Sequence, residues 1–381
     1  MSRFAVQLTR IRNIEPIAGA DAIELAVVGD YRSVVRKDAF RPRELVIYIP
    51  EQSVLPEWLI KNLGLEGKLA GPEKNRVKAV KLRGTVSQGI CLPVQQLKAT
   101  TASVVYNANG DTIVASEGED VAKLLGIEKY EPVVPQHFAG ELYGSHDTTV
   151  NYDIENFKRY PDVLVEGEEV VFTEKLHGSF CGLGIVPEKD ASSKHWLDRC
   201  VVFSKGLGAQ GLCLLNSNNN VNNAYIRALQ RLDAFNKILK LAEWFENEQQ
   251  EHLDRPLFLL GEVYGPGIQD ATFTYGQKET HFRIFDVVSG YRGDQQYYDY
   301  KFHATFADLA DLELVPLVYR GPFSREVMME HTSGKTTLGE HIREGIVIKP
   351  TTERTHPELG RVILKSVSAE YLLRKNGTEY Q

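Results

Sequence analysis

Over residues 1 to about 130, apolar residues come only in short runs, each closed by turn formers: "IELAVVG", "RSVVRKDAF", "ELVIYIP", "RVKAVKLRG" and "QGICLP". Short runs at this spacing predict a small all-β barrel. A helical patch, "DVAKLLGIEKYEP", closes it. The mixed Gly, Pro and polar stretch "VVPQHFAGELYGSHDTT" then reads as a connector. From about residue 150 the texture changes to α+β. Strand patterns "EEVVFTEKLHGS", "WLDRCVVFSKG", "PLFLLGEVYG", "FRIFDVV", "EGIVIKP" and "RVILKSVS" flank "NNAYIRALQRLDAFNKILKLAEWFENEQQ", whose apolar spacing predicts one long helix. The Asn-rich "LNSNNNVNN" before it supplies N-cap candidates. The expected organisation is a domain over 1–131, a linker over 132–150 and a second domain over 151–381.

A chain of 381 residues holds enough apolar material for two cores. Its 43% hydrophobic and 25% charged residues are the profile of an ordinary soluble protein. No apolar run approaches the ~20 residues of a membrane span, and the N-terminus lacks a signal-peptide core. Cys91, Cys181, Cys200 and Cys213 form no C-x-x-C pair, which argues against a zinc site and a disulfide framework. A reducing cytoplasm is the expected setting. The net charge of −7 weighs against coating nucleic acid by bulk charge and leaves room for local basic clusters.

The stretch "FTEKLHGSF" puts Lys175 after an apolar, β-prone run. A lysine there is costly to bury unless its amine has a task. A neutral lysine amine can attack phosphorus and form a phosphoramidate, and neighbouring cations depress an ammonium pKa. Lys349 in "EGIVIKP" and Lys365 in "VILKSVS" are such cations, and they would also hold a triphosphate. Taken singly, each of these lysines reads as an edge-strand residue that discourages aggregation. Glu262 in "LLGEVYGPG" and Glu344 in "REGIVIK" stand beside glycines at the border of apolar runs. Acids there suit Mg²⁺ held through water; otherwise each caps a turn or pairs with an arginine such as Arg343. Phe285 in "FRIFDVV" reads alone as core, and as a pocket wall it would stack on a purine.

Co-occurrence changes the weighing. Lys-x-His-Gly, Ser-Lys-Gly, Gly-Glu-x-Tyr-Gly, Phe-x-x-Phe-Asp, Glu-Gly-x-Val-x-Lys and a final strand lysine follow in that order over residues 172–368. Each is weak by itself. Together they resemble the covalent nucleotidyltransferases: DNA ligases, RNA ligases and messenger-RNA capping enzymes. "EKLHGS" looks like an RNA ligase, since the other two groups typically carry Asp at the position of His177. "ENFKRYPDVL" and the leading barrel are similar to the fifth family of RNA ligases, in which an OB-fold precedes the catalytic domain.

The resemblance implies an α+β chain: an N-terminal all-β OB-fold barrel, then a ligase-type nucleotidyltransferase domain with antiparallel sheets. It implies an ATP-dependent RNA ligase with AMP carried on Lys175, and Mg²⁺ or Mn²⁺ organised through water by Glu262, Glu344 and His177. Lys349 and Lys365 would contact phosphates. Phe285 would stack on adenine, Glu174 would meet the adenine amino group through its backbone neighbours, and Leu176 and Gly178 would border the nucleotide. Lys205 stands where several relatives carry Arg, and Val367 where many carry a second Lys. Arg159 or Lys158 would reach the nucleotide from upstream. The barrel resembles OB-folds that bind transfer RNA, and Lys74, Arg76, Lys78, Lys81 and Arg83 would hold a phosphate backbone; the bland reading is a solvated strand face. The expected partner is RNA, as a nicked duplex with an RNA 3′-hydroxyl strand, for a monomer that engages no membrane. Competing readings are a DNA ligase, a capping enzyme, or a non-catalytic RNA-binding protein.

Overall fold

The structure is a computed structural model that describes residues 4–96, 102–106, 109–131, 135–248 and 253–374. Part of the expected connector (132–134), the end of the expected long helix (249–250) and the C-terminal 375–381 lie outside the described residues. Two compact units emerge: Ser2–Glu131 with Phe157–Pro161, and Pro132–Asn156 with Asp162–Gln381.

In the smaller unit the "LVIYI" strand, Leu45–Ile49, pairs antiparallel with Gln7–Arg10 on one side and Ile90–Pro93 on the other. All five of its residues are buried, because both faces are covered. Leu45, Ile47 and Ile49 pack with Val6, Leu8 and Leu59, while Val46 and Tyr48 pack with Ile11, Ala26 and Phe40. Strands Asn13–Pro16, Ile23–Val28 and Tyr31–Arg36 form a meander. Val80–Leu82 and Thr85–Ser87 form a hairpin whose first strand is exposed throughout. Segment 157–161 joins this unit: the Asp30 N–H donates to the Lys158 carbonyl at 2.8 Å.

The larger unit holds two five-stranded sheets. The first runs Glu155–Asn156, Leu364–Val367, Gly345–Pro350, Glu169–Lys175, Leu317–Pro322; the second runs Cys200–Ser204, Ser179–Ile185, Leu257–Tyr264, His281–Ser289, Gln296–Tyr297. One strand of the first sheet ends at Lys175 and a strand of the second begins at Ser179, so only Leu176, His177 and Gly178 carry the chain between sheets. Of the expected connector, 135–150 is built into this unit, with Leu142–Gly144 paired to Leu212–Leu214.

The expected long helix is two helices, Ala224–Arg231 and Ala234–Glu248. The break falls at Leu232–Asp233. Asp233 takes a left-handed φ of 56°, a conformation Asp tolerates through its short polar side chain, and its Oδ1 accepts from Asn236. Asn223 caps the first helix, accepting from the Tyr225 N–H at 3.0 Å. Both helices cover one face of the second sheet through Tyr225, Ile226, Leu229, Ile238 and Leu241. On the other face Phe203, Phe258 and Leu260 cluster with Val150 and Ile363. The four cysteines are buried and free. No helix among the described residues is long and apolar enough to cross a membrane.

Gly182 shows how tightly the inner layer is packed. A Cβ there would lie 2.3 Å from ring carbons of Phe203. Gly182→Ala should therefore lower stability by roughly 1–3 kcal/mol through overpacking, measured by urea unfolding; an unchanged midpoint would contradict this packing.

Candidate active site

Lys175 ends its strand opposite Gly345. That register sets Glu344, one residue earlier, beside it: the Lys175 Nζ lies 2.6 Å from Glu344 Oε1. In the second sheet the Ser179–Ile185 strand pairs with Leu257–Tyr264, which sets Glu262 opposite Phe180. The Gly178 N–H donates to Glu262 Oε1 at 3.1 Å. A Cβ on Gly178 would sit 2.3 Å from the Val263 carbonyl oxygen and 2.8 Å from Glu262 Cγ. Gly178 is thus glycine because the Glu262 strand passes close against it.

Lys175, Glu262, Lys205, Lys349 and Lys365 line one cavity of about 240 Å³, together with Leu176, Gly178, Phe180, Phe285, Tyr152 and Asp153. Its electrostatics are tense. Desolvation pushes the Glu262 carboxyl up to about 8, with the Glu344 charge adding and the Lys175 ammonium opposing. Desolvation pushes the Lys365 ammonium down to about 8, helped by the charges of Lys205 and Lys175. Lys205 opens the Lys205–Gln210 helix and donates to Asp153 at 2.8 Å.

Lys349 is 2% exposed. It donates to Asp286 Oδ1 at 3.1 Å and to the Phe285 carbonyl at 3.3 Å. Asp286 also accepts from Arg361 at 2.6 and 3.0 Å and from the Tyr152 hydroxyl at 2.8 Å. Burial alone would raise its pKa, but Arg361 and Lys349 together hold the carboxyl below the usual range. Lys349 therefore reaches the cavity from within a buried charge cluster.

Phe285 is the extra residue of a β-bulge: Leu260 pairs with Asp286 and Gly261 with Ile284, which skips it. Bulges re-aim side chains. Here the ring joins Tyr152 (5.4 Å between centroids) and Phe180 (5.9 Å) at the cavity wall. Leu176 is 3% exposed and borders the cavity from a cluster with Tyr264, Phe273 and Tyr275. The Glu174 carboxylate is committed elsewhere, accepting from the Thr337 N–H at 2.9 Å and its hydroxyl at 2.8 Å.

His177 does not line the cavity. Its ring lies behind the turn, 5% exposed, near Asp270 and Tyr371. Arg159 belongs to the smaller unit, its guanidinium 5.6 Å from the Tyr160 ring centre, and is not among the cavity-lining residues; Lys158 lies in the same unit and donates to Gln88. Of the basic residues in that unit, Lys74, Lys81 and Arg83 are exposed and Lys78 is half-buried. Arg76 departs from the expected open face. It is 8% exposed, with its guanidinium 4.0 Å from the Tyr130 ring centre.

Glu262 and Glu344 are the acids placed to hold a divalent cation, and Glu344 Oε2 is buried with no hydrogen-bond partner. Among the described residues no group of three or more His, Cys, Asp or Glu could hold a metal directly. Water and phosphate oxygens would complete such a shell. Sequence reasoning missed Tyr152, Asp153, Phe180, Asp286 and Arg361. The first two fall where texture changes from connector to domain. Asp286 carried a signal in "FRIFDVV", an acid inside an apolar strand.

Comparison with known families finds an RNA ligase family over residues 168–367 and an OB-fold domain over 5–94. Among solved structures the chain is similar to the RNA ligase of Naegleria gruberi. A mutant of that ligase with ATP and Mn is 22% identical at a TM-score of 0.73, covering 97% of this chain and 98% of that one. Another mutant, with AMP and Mn, is 22% identical at 0.72, and a form with PPi is 23% identical at 0.72, both with the same coverage. At these identities the likeness is one of fold, an α+β chain with a leading OB-fold. A search of curated proteins finds no match. The family match spans more than half of the residues, and the chain belongs to the RNA ligase family.

Proposed function

We propose that this chain is an ATP-dependent RNA ligase working through a lysyl-AMP on Lys175. The observation that carries the reading is Lys175 on the cavity wall, 2.6 Å from Glu344, with Glu262, Lys205, Lys349 and Lys365 around the same space. Lys175 gives its ammonium proton to solvent, and the neutral amine attacks the α-phosphorus of ATP. An N–P bond forms, the bond from the α-phosphorus to the bridging oxygen breaks, and pyrophosphate leaves. AMP then passes to an RNA 5′-phosphate, and a 3′-hydroxyl displaces it. Phe285, with Tyr152 and Phe180, stacks on adenine, beside Leu176 and the backbone of Glu174. Lys205 and Lys365 oppose phosphate charge, and Lys349 does so from its seat on Asp286. Glu262 and Glu344, with His177 behind them, would hold Mg²⁺ or Mn²⁺ through water, and the cation would supply neutralisation of the leaving pyrophosphate. The Naegleria structures with ATP or AMP and Mn support this choice of ligands.

The OB-fold domain, 1–131, grips RNA through the exposed Lys74, Lys81 and Arg83 with Lys78, while Arg76 braces Tyr130. Residues 132–150 lead in sequence into the adenylyltransferase domain, 151–381. The substrate is a nicked duplex with an RNA 3′-hydroxyl end, and the enzyme acts as a cytoplasmic monomer in RNA repair.

Incubation with ATP and Mg²⁺ or Mn²⁺ should add the mass of one AMP to the intact protein and none to Lys175→Ala. Labelling by GTP alone would overturn the choice of nucleotide in favour of a capping enzyme, and no labelling by either would overturn the enzyme reading.

A carboxyl pushed up to about 8 binds a cation only after losing its proton. The Mn²⁺ concentration for half-saturation should therefore fall about tenfold per pH unit below pH 8 and level off above it. Calorimetric titration reads this, and Glu262→Gln should flatten the dependence.

Lys81→Ala and Arg83→Ala should each flatten the slope of log affinity against log salt for duplex RNA by roughly 0.7–0.9. Fluorescence anisotropy across a salt series checks this; unchanged slopes would remove these residues from the RNA interface.

A further inference from the structure

His177 stands two residues beyond Lys175, and segments far away in sequence converge on its ring. Asp270 brings Oδ2 to 3.4 Å from Nε2. Phe273 meets the ring edge-on at 4.9 Å between centroids. The Tyr275 hydroxyl accepts the His177 backbone N–H at 2.5 Å. From the C-terminal helix, Ala369–Leu372, the Tyr371 hydroxyl lies 2.8 Å from Nδ1. Just beyond, Arg374 Nε donates to Asp270 Oδ2 at 2.9 Å, and its guanidinium covers the Tyr371 ring at 3.7 Å. Glu344 faces the same ring from the cavity side, its Oε2 3.8 Å from Nδ1.

The convergence bears on the cavity through the backbone. The C-terminal helix follows the Lys365 strand with only Ser368 between them, and the Ser368 N–H donates to the Glu344 carbonyl at 2.8 Å. One short segment is thereby tied to the Lys365 strand, to Glu344 and to the turn after Lys175. Packing alone does not call for a buried carboxylate, imidazole and arginine in line, since such groups are expensive to desolvate.

We propose that Asp270, Tyr371 and Arg374 are positioning residues: through His177 they latch the C-terminal helix onto the turn after Lys175 and hold the amine, Glu344 and Lys365 in register. The proposal rests on Lys175 being the nucleophile. Its test uses the full chain as wild type, Tyr371→Phe and Asp270→Asn, with two readouts. The first is the rate constant of AMP attachment at saturating ATP, set against the ATP concentration for half-saturation. The second is hydrogen exchange of the backbone amides of residues 176–179.

Each variant should slow attachment about tenfold, shift half-saturation by less than about twofold, and speed exchange at 176–179. A lowered melting temperature with a wild-type rate constant would overturn the latch and leave a merely structural contact. A wild type that takes up no AMP would instead overturn the ligase reading. Exchange then judges the latch alone, and protection at 176–179 unchanged in Tyr371→Phe would refute it.

Discussion

Three residues carry the chain from one sheet of the larger unit to the other, and the site is organised around that crossing. Lys175 is the last residue of a strand in the first sheet and Ser179 the first of a strand in the second. A link that short leaves no freedom in where the two sheets meet. Lys175 must emerge at the seam, and each sheet brings one acid to the same place: Glu344, just before the Gly345–Pro350 strand of the first, and Glu262, on the Leu257–Tyr264 strand of the second. Gly178 is what the seam demands sterically, since any Cβ would collide with Val263 and Glu262. The same glycine that a motif presents as room for a ligand is, in the fold, room for a strand.

A cavity lined by Lys175, Lys205, Lys349 and Lys365, with Glu262 among them, needs charge balance from behind. Asp286 supplies part of it, fully buried beneath Lys349 and bridged to Arg361 and Tyr152. Asp153 does the same for Lys205. The acids at the front are less satisfied. Desolvation pushes the Glu262 carboxyl up, and one Glu344 oxygen has no hydrogen-bond partner. A site left in that condition is prepared for a cation and a polyphosphate, which bring the missing charges with them.

Much of this was legible in the chain. Short apolar runs marked the N-terminal β unit, and the strands ending at Lys175, bearing Glu262 and leading into Lys365 stand where their patterns placed them. Other features were not legible, for physical reasons. The long helical pattern breaks because one Asp adopts a left-handed conformation that periodicity does not register. Arg76 sits among basic residues in sequence yet stacks on Tyr130, fifty-four positions away. Phe285 faces the cavity through a bulge, and a bulge is set by two strands rather than by one.

The sequence by itself determined the chemical inventory: a lysine after a buried β run, acids beside glycines, further lysines on later strands, and the order of the two units. Those are local properties, written in the residues within a few positions of each other. Only the tertiary structure decided which of them share a space and what each touches. His177 illustrates the division. Its neighbours in sequence say nothing of Asp270 or Tyr371, 93 and 194 residues on, because side-chain partners at that range are chosen by sheet packing and not by the local pattern.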